Sequence, residues 1–183
     1  MPSQFETLSL PGVVLVTPRV FADARGHFKE TFKASEFATA GLPSDFVQEN
    51  VSVSKKGVVR GLHFQVPPMA QGKLVQVIRG SILDVVVDIR KSSAAYGKHL
   101  AVTLTAHSHQ MLWVPEGFAH GFASLEDNTE VVYKVTREYA PACDRGILWN
   151  DPDLGIDWKT PTPLLSDKDT KHPRLKDAGP LFS

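Results

Sequence analysis

The chain has a single cysteine, Cys143, so no intrachain disulfide can form and nothing points to an oxidising compartment. It has no net charge: 20 Lys and Arg balance 20 Asp and Glu. That removes the bulk positive field on which non-specific polyanion binding depends, and no nucleic-acid partner is expected. No apolar run approaches the roughly 18 residues of a membrane-spanning helix, so no membrane partner is expected either. The N-terminus MPSQFETLSLPG lacks the basic region and following apolar run of a signal peptide. Repeats, low-complexity tracts and linker-like stretches are missing, as is any Gly-x-Gly-x-x-Gly turn of the kind that holds a dinucleotide. What is present is an ordinary globular mixture, 183 residues with 42% hydrophobic and 22% charged. That length suits one domain over residues 1–183 with a core that needs no staples, in a protein expected to be cytoplasmic.

Gly and Pro, 13 of each, punctuate short runs rich in Val, Ile, Thr and Phe. Such runs favour strands. They predict strands over Val13–Val16, Gly26–Phe32, Phe46–Val53, Val58–Gln65, Lys73–Ile78, Ile82–Ile89, His99–Thr105, Gln110–Val114, Ala119–Leu125 and Glu130–Arg137. One short Ala-rich helix is expected over Lys33–Ala40, ended by Gly41. The tail from Asp151 carries five prolines and little alternation, and reads as extended loop with a helical turn near Leu164–Asp169. Many short strands without helical crossovers define an all-β sandwich or barrel. Within Ile82–Ile89, Leu83, Val85, Val87 and Ile89 share one face, and Asp84 and Asp88 interrupt the other. These two acids either line a cavity or face water.

Polar residues with possible chemistry gather in a few segments. Gln48, Asn50, Ser52 and Ser54 share one parity, as a solvated sheet face or as a row of donors for a polar ligand. In Arg60-Gly61-Leu62-His63-Phe64-Gln65, Arg60 and His63 differ in parity, and a bulge at Gly61 would re-aim one of them. Lys73 adds a cation soon after. Tyr133, between Val131 and Val135 on its own face, is a core tyrosine or a general acid in an apolar pocket. His107, His109 and His172 fall in turns or tail and read as surface residues. The spacing Pro115-x-Gly117-x-x-His120 resembles the second motif of the cupin family, and Arg60–Gly80 the first. A cupin metal site needs His-x-His and a downstream Glu. Here Gln65 follows His63 by two and no Glu lies between Gln65 and Gly80, so a metal-free member is expected.

In order along the chain stand Asp23-x-Arg25-Gly26-x-Phe28-x-Glu30, Gln48-x-Asn50-x-Ser52, Arg60-Gly61-Leu62-His63-Phe64-Gln65, Gly72-Lys73 and Val87-Asp88-Ile89-Arg90. Pro115-x-Gly117-Phe118-Ala119-His120-Gly121-Phe122, Tyr133, Tyr139-x-Pro141-x-x-Asp144-x-Gly146-Ile147, Trp149-x-Asp151-Pro152 and Ser166-x-Lys168-Asp169 follow. Together they resemble the dTDP-4-dehydrorhamnose 3,5-epimerase family. The resemblance implies a cupin-type jelly roll with short helices, acting as a homodimer on dTDP-4-dehydro-6-deoxy-D-glucose. Carbons 3 and 5, which flank the ketone, are inverted through enolates, and no cofactor or metal is used. By family position His63 is the base and Asp169 its carboxylate partner. Tyr133 is the acid on the opposite face, and Lys73 the cation at the enolate oxygen. Arg25, Arg60, Lys73 and Lys168 would meet the diphosphate. His120 would touch sugar or phosphate, and Gln48, Asn50 and Glu30 would complete the binding set. Asp144 stands where the family more often has Glu. The first strands would cross to the partner subunit, so Arg25 and Glu30 would serve the neighbour's site. A mono-epimerase on the same scaffold, a metal-dependent cupin and a non-catalytic sugar-binding cupin are the alternatives. Lys73, Tyr133 and the His63–Asp169 pair favour the epimerase.

Overall fold

A computed structural model describes residues 3–179 and 182. In chain order the strands are β1 (Gln4–Thr7), β2 (Val14–Thr17), β3 (Val20–Asp23), β4 (Gly26–Lys29), β5 (Gln48–Ser54), β6 (Val59–Gln65), β7 (Lys73–Arg79), β8 (Ser81–Asp88), β9 (His99–Thr105), β10 (Met111–Val114), β11 (Phe118–Ser124), β12 (Thr129–Val135) and β13 (Asp144–Gly146). One helix, α1, covers Ala34–Thr39, close to its expected span. Its chain turns out through Gly41 at φ +73°, a conformation that glycine adopts without penalty. Three strands went unforeseen: β1, β3 and β13 are segments of 4, 4 and 3 residues, too short to show a period. The expected helical turn at Leu164–Asp169 falls later, as 3-10 turns at Asp169–Lys171 and Leu175–Asp177.

Two antiparallel sheets form a jelly-roll sandwich. One has the order β1-β2-β10-β7-β12-β5 and the other β13-β6-β11-β8-β9, while β3 and β4 form a separate hairpin. Val75, Val77, Leu112 and Val131 from the first sheet meet Ile82, Val86, Leu104 and Phe122 from the second between the layers. The outer face of the five-stranded sheet is covered too. Leu83, Val85, Val87 and Ala119 pack against Ile147, Leu154, Trp158 and Leu175 of the C-terminal segment. The tail therefore does not hang as a loop; it supplies a third layer. This is why β8 is buried along its whole length, on both faces. On the far side α1 lays Phe37 over Val14, Val16, Met111 and Trp113. Asp84 and Asp88 do not face water: both are fully buried, Asp84 against His120 and Asp88 against Arg90.

The fold aims the central residues through one irregularity. His63 pairs with His120 and Arg60 with Phe122, so three steps on β6 match two on β11. The extra residue is a β-bulge. It turns both Arg60 and His63 inward, while Leu62 and Phe64 stay in the outer core. Gly61 sits in the bulge at φ +146°, and a Cβ there would lie 2.6 Å from the Gly121 Cα. Gly61→Ala should lower stability by about 2 kcal/mol, roughly 4–8 °C in melting temperature. An unchanged melt would show that the bulge tolerates a side chain.

Candidate active site

A cavity of about 460 Å³ opens between the sheets. The five-stranded sheet contributes Arg60, His63, His120 and Phe122, and the six-stranded sheet Ser52, Lys73, Val131 and Tyr133. The tail closes one side with Leu165, Ser166, Lys168 and Asp169. An adjoining cleft of about 340 Å³ shares His63, Lys73, Tyr133 and Lys168, and adds Gln48, Asn50, Gln65, Tyr139 and Asp144. The polar parity of β5 thus points inward, while its apolar alternates Val51 and Val53 are exposed.

His63 Nε2 lies 2.5 Å from Asp169 Oδ1. The proton on that bond belongs to the imidazole, whose Nε2–H donates to the carboxylate, so Nδ1 is the nitrogen left to accept another proton. Asp169 is 3% exposed, and Ser166 Oγ accepts its backbone N–H. Burial pushes its carboxyl up, but the hydrogen bond and charge of His63, with Ser166, outweigh burial and hold it below the usual range. Lys73 enters from the opposite sheet, and its Nζ donates to the His63 carbonyl at 3.2 Å. Burial brings its pKa down to about 8, against the pull of Asp144 and Asp84. Tyr133 stands two residues from Lys73 in the β12–β7 register. Burial raises its phenol pKa while Arg60 opposes, so it keeps its proton at neutral pH. Arg60 Nε donates to Ser54 Oγ at 3.1 Å. Asp144 Oδ2 accepts from Lys168 and from the Tyr139 hydroxyl.

Of the residues expected to meet, His63, Asp169, Tyr133, Lys73, Arg60, His120, Lys168, Gln48, Asn50 and Asp144 line these two connected spaces. Arg25 and Glu30 do not. Arg25 lies at the tip of the β3–β4 hairpin, its side chain 90% exposed and paired with Asp23. Glu30 is exposed just beyond β4. The surface reading of His172 is wrong: its side chain is 11% exposed and its ring lies 5.8 Å from that of His63, edge to face. The tail folds back on β6 and β13, which no local pattern announces. His109 is half-buried as well, with Lys29 Nζ 2.9 Å from its Nδ1 and the His27 ring beside it. Asp84, absent from the expected site set, holds His120 Nε2 at 2.9 Å, and its place in the β8 alternation was the available signal. His63 and His120 are register partners, yet each is engaged by its own carboxylate.

An imidazole–carboxylate pair on one wall and a phenol and a half-buried ammonium on the other, on a cupin-like jelly roll, are the groups that an acid–base isomerase requires. The family described as dTDP-4-dehydrorhamnose 3,5-epimerase matches residues 7–177. A curated relative of that name from Shigella flexneri is 49% identical over 170 residues, covering 92% of this chain and 94% of its own. The crystal structure of dTDP-4-dehydrorhamnose 3,5-epimerase from Sulfolobus tokodaii superposes with a TM-score of 0.93 at 45% identity over 100% of both chains. A 3′-monoepimerase from Streptomyces bikiniensis is similar at 36% identity and a TM-score of 0.90, covering 94% of this chain and 88% of its own. The chain belongs to the dTDP-4-dehydrorhamnose 3,5-epimerase family.

Lys73 carries a pH signature. Its folded pKa lies below the free value of 10.5, so the buried charge opposes folding below pH about 8. That penalty fades as pH rises from about 8 toward 10.5, because only the unfolded chain still holds the proton there. Lys73→Met should therefore melt at a higher temperature than the native chain at pH 7, with the gap closing across this window. A gap independent of pH would show that the lysine is not desolvated.

Proposed function

We propose that this protein epimerises dTDP-4-dehydro-6-deoxy-D-glucose at carbons 3 and 5, giving dTDP-4-dehydro-L-rhamnose for dTDP-rhamnose biosynthesis. The observation that carries the reading is the His63–Asp169 pair across a cavity from Tyr133 and Lys73. A proton next to a ketone is acidic because the enolate left behind is delocalised. His63 Nδ1 takes that proton, with Asp169 fixing the tautomer and stabilising the imidazolium. Lys73 stabilises the enolate oxygen, and its near-neutral pKa suits a cation that shares a proton with a developing oxyanion. Tyr133, which holds its proton at neutral pH, delivers from the opposite wall, and delivery from the far side is what inverts a carbon. Arg60 and Lys168 receive the diphosphate, and Gln48, Asn50 and Asp144 in the adjoining cleft take the nucleotide end. No redox cofactor is required, since the substrate loses no electrons. The 3′-monoepimerase is the more distant relative, so a single-carbon reaction gains no preference.

The active unit in this reading is a homodimer in the cytoplasm, where nucleotide sugars are made. Val51 and Val53 on edge strand β5, and Phe21 and Phe28 on the β3–β4 hairpin, are large apolar residues exposed in one chain. Covered by a second copy, they would bury apolar area and carry Arg25 and Glu30 to the neighbouring cavity.

Deuterium exchange into the keto-sugar in heavy water, followed by NMR, tests the chemistry. The native protein should label both carbons. His63→Asn should label neither while still binding dTDP, and Tyr133→Phe should label at least one carbon but yield less than about one hundredth of the inverted product. Native exchange in His63→Asn would remove the base. Native turnover in Tyr133→Phe would make Tyr133 a core residue.

Subunit mixing tests the dimer. Arg25→Ala and His63→Asn, each inactive alone, should regain up to about a quarter of native activity when mixed, because a heterodimer holds one intact site. No recovery from a mixture that sediments as dimers would place Arg25 outside the neighbour's site.

A further inference from the structure

His172 has no part in the acid–base chemistry, yet it is built into the site. Among the described residues its Nε2 is buried without a hydrogen-bond partner, 3.6 Å from Asp169 Oδ1. Its ring lies flat on Gly146, where a Cβ would come within 2.3–2.5 Å of three ring atoms. Only a bare Cα leaves room for the imidazole in that place. An unpartnered buried nitrogen costs about 1–3 kcal/mol, so its presence beside a carboxylate and a second imidazole asks for a ligand. Burial holds the His172 pKa down and the neighbouring His63 adds to this, which keeps the ring neutral and able to donate a lone pair.

We propose that His63 Nε2, Asp169 Oδ1 and His172 Nε2 form a capture site for a borderline divalent cation of the zinc type, and that occupying it switches the enzyme off. One ligand atom from each residue lies within 4.8 Å of the others, and Asp169 Oδ1 stands 2.5 Å from His63 Nε2 and 3.6 Å from His172 Nε2. Two imidazoles and one carboxylate are a zinc donor set. Around a tetrahedral ion with bonds of about 2.0–2.1 Å, ligand atoms stand roughly 3.3 Å apart, so modest side-chain shifts close the site. The inhibitory consequence follows from the imidazole itself. A neutral ring has one lone pair. Metal on His63 Nε2 displaces the Asp169 hydrogen bond and moves the ring proton to Nδ1, the atom that must accept the substrate proton. This ligand set differs from the cupin pattern read in the sequence, in which Gln65 fills a ligand position and Asp84 engages His120. Only the inhibition rests on His63 as base; metal binding stands apart from that reading.

Zinc sulfate titrated calorimetrically into the full-length, substrate-free protein, beside epimerase assays at the same zinc concentrations, tests this. The native protein should bind one zinc per chain with inhibition in parallel, and magnesium should do neither, because a hard cation prefers all-oxygen sites. His172→Ala should keep turnover within about threefold while zinc affinity and inhibition both weaken at least tenfold. His172→Phe fills the same space without a donor and should behave alike even if the smaller variant folds poorly. Equal zinc affinity in native protein and both variants, or no binding by native protein at about 100 µM zinc, would overturn the site. Zinc bound through His172 with full turnover would overturn the inhibition and, with it, the assignment of His63.

Discussion

The contact between His63 and Asp169 joins residues 106 apart in the chain, and only the docking of the C-terminal tail against β6 brings them together. Asp169 is buried on a tail that meets the sheet through the isolated Val58–Leu164 bridge and through side-chain packing, so its position depends on everything that pins the tail. Leu154, Trp158 and Leu175 sink into the outer face of the five-stranded sheet, and Asp151 accepts the backbone N–H of Leu175. A buried carboxylate without its partner would carry a desolvation cost of several kcal/mol. The hydrogen bond that orients the imidazole is therefore also what makes the burial tolerable, and in the proposed mechanism chemistry and tail docking rest on the same two atoms.

The interior between the sheets is divided along its length. Toward one end the facing side chains are apolar and close the core; toward the other they are Lys73, Tyr133, His120 and Arg60, and the layers stand apart. Charge follows the same division. A chain with equal numbers of acids and bases gathers Arg60, Lys73 and Lys168 around one cavity, with Asp84, Asp144 and Asp169 as counterweights. The carboxylates engage side chains, His120, Lys168 and His63, and among the described residues Arg60 is held by Ser54 and a backbone carbonyl. A guanidinium held by neutral acceptors keeps its charge available to a phosphate.

β5 shows how one strand serves two surfaces. Its polar residues look into the cleft and its valines look out, the reverse of a sheet edge that simply meets water. The same inversion marks the β3–β4 hairpin, which exposes Phe21 and Phe28 beside Arg25. Exposed apolar residues beside the proposed substrate-binding residues would link assembly to catalysis in the proposed dimer.

The sequence by itself determined the period-two strands of the sandwich, the helix before Gly41 and the order of the motifs. These are properties of neighbouring residues, and alternation is visible without knowing what covers either face. It also carried the bulge, since Arg60 and His63 could share a cavity only if Gly61 took up an extra residue. Tertiary structure alone decided the rest. Whether Asp84 faced water or the interior depended on the tail layer outside β8 and on His120 across β11, neither of which is local. His172 read as a surface residue because a histidine in a proline-rich tail has no period to betray burial. Its place behind His63 is set by Gly146 and by the long-range docking of the tail. Local pattern reports which side chains share a face, but only the packing of distant segments determines what that face meets, because burial and pKa are properties of surroundings and not of residues.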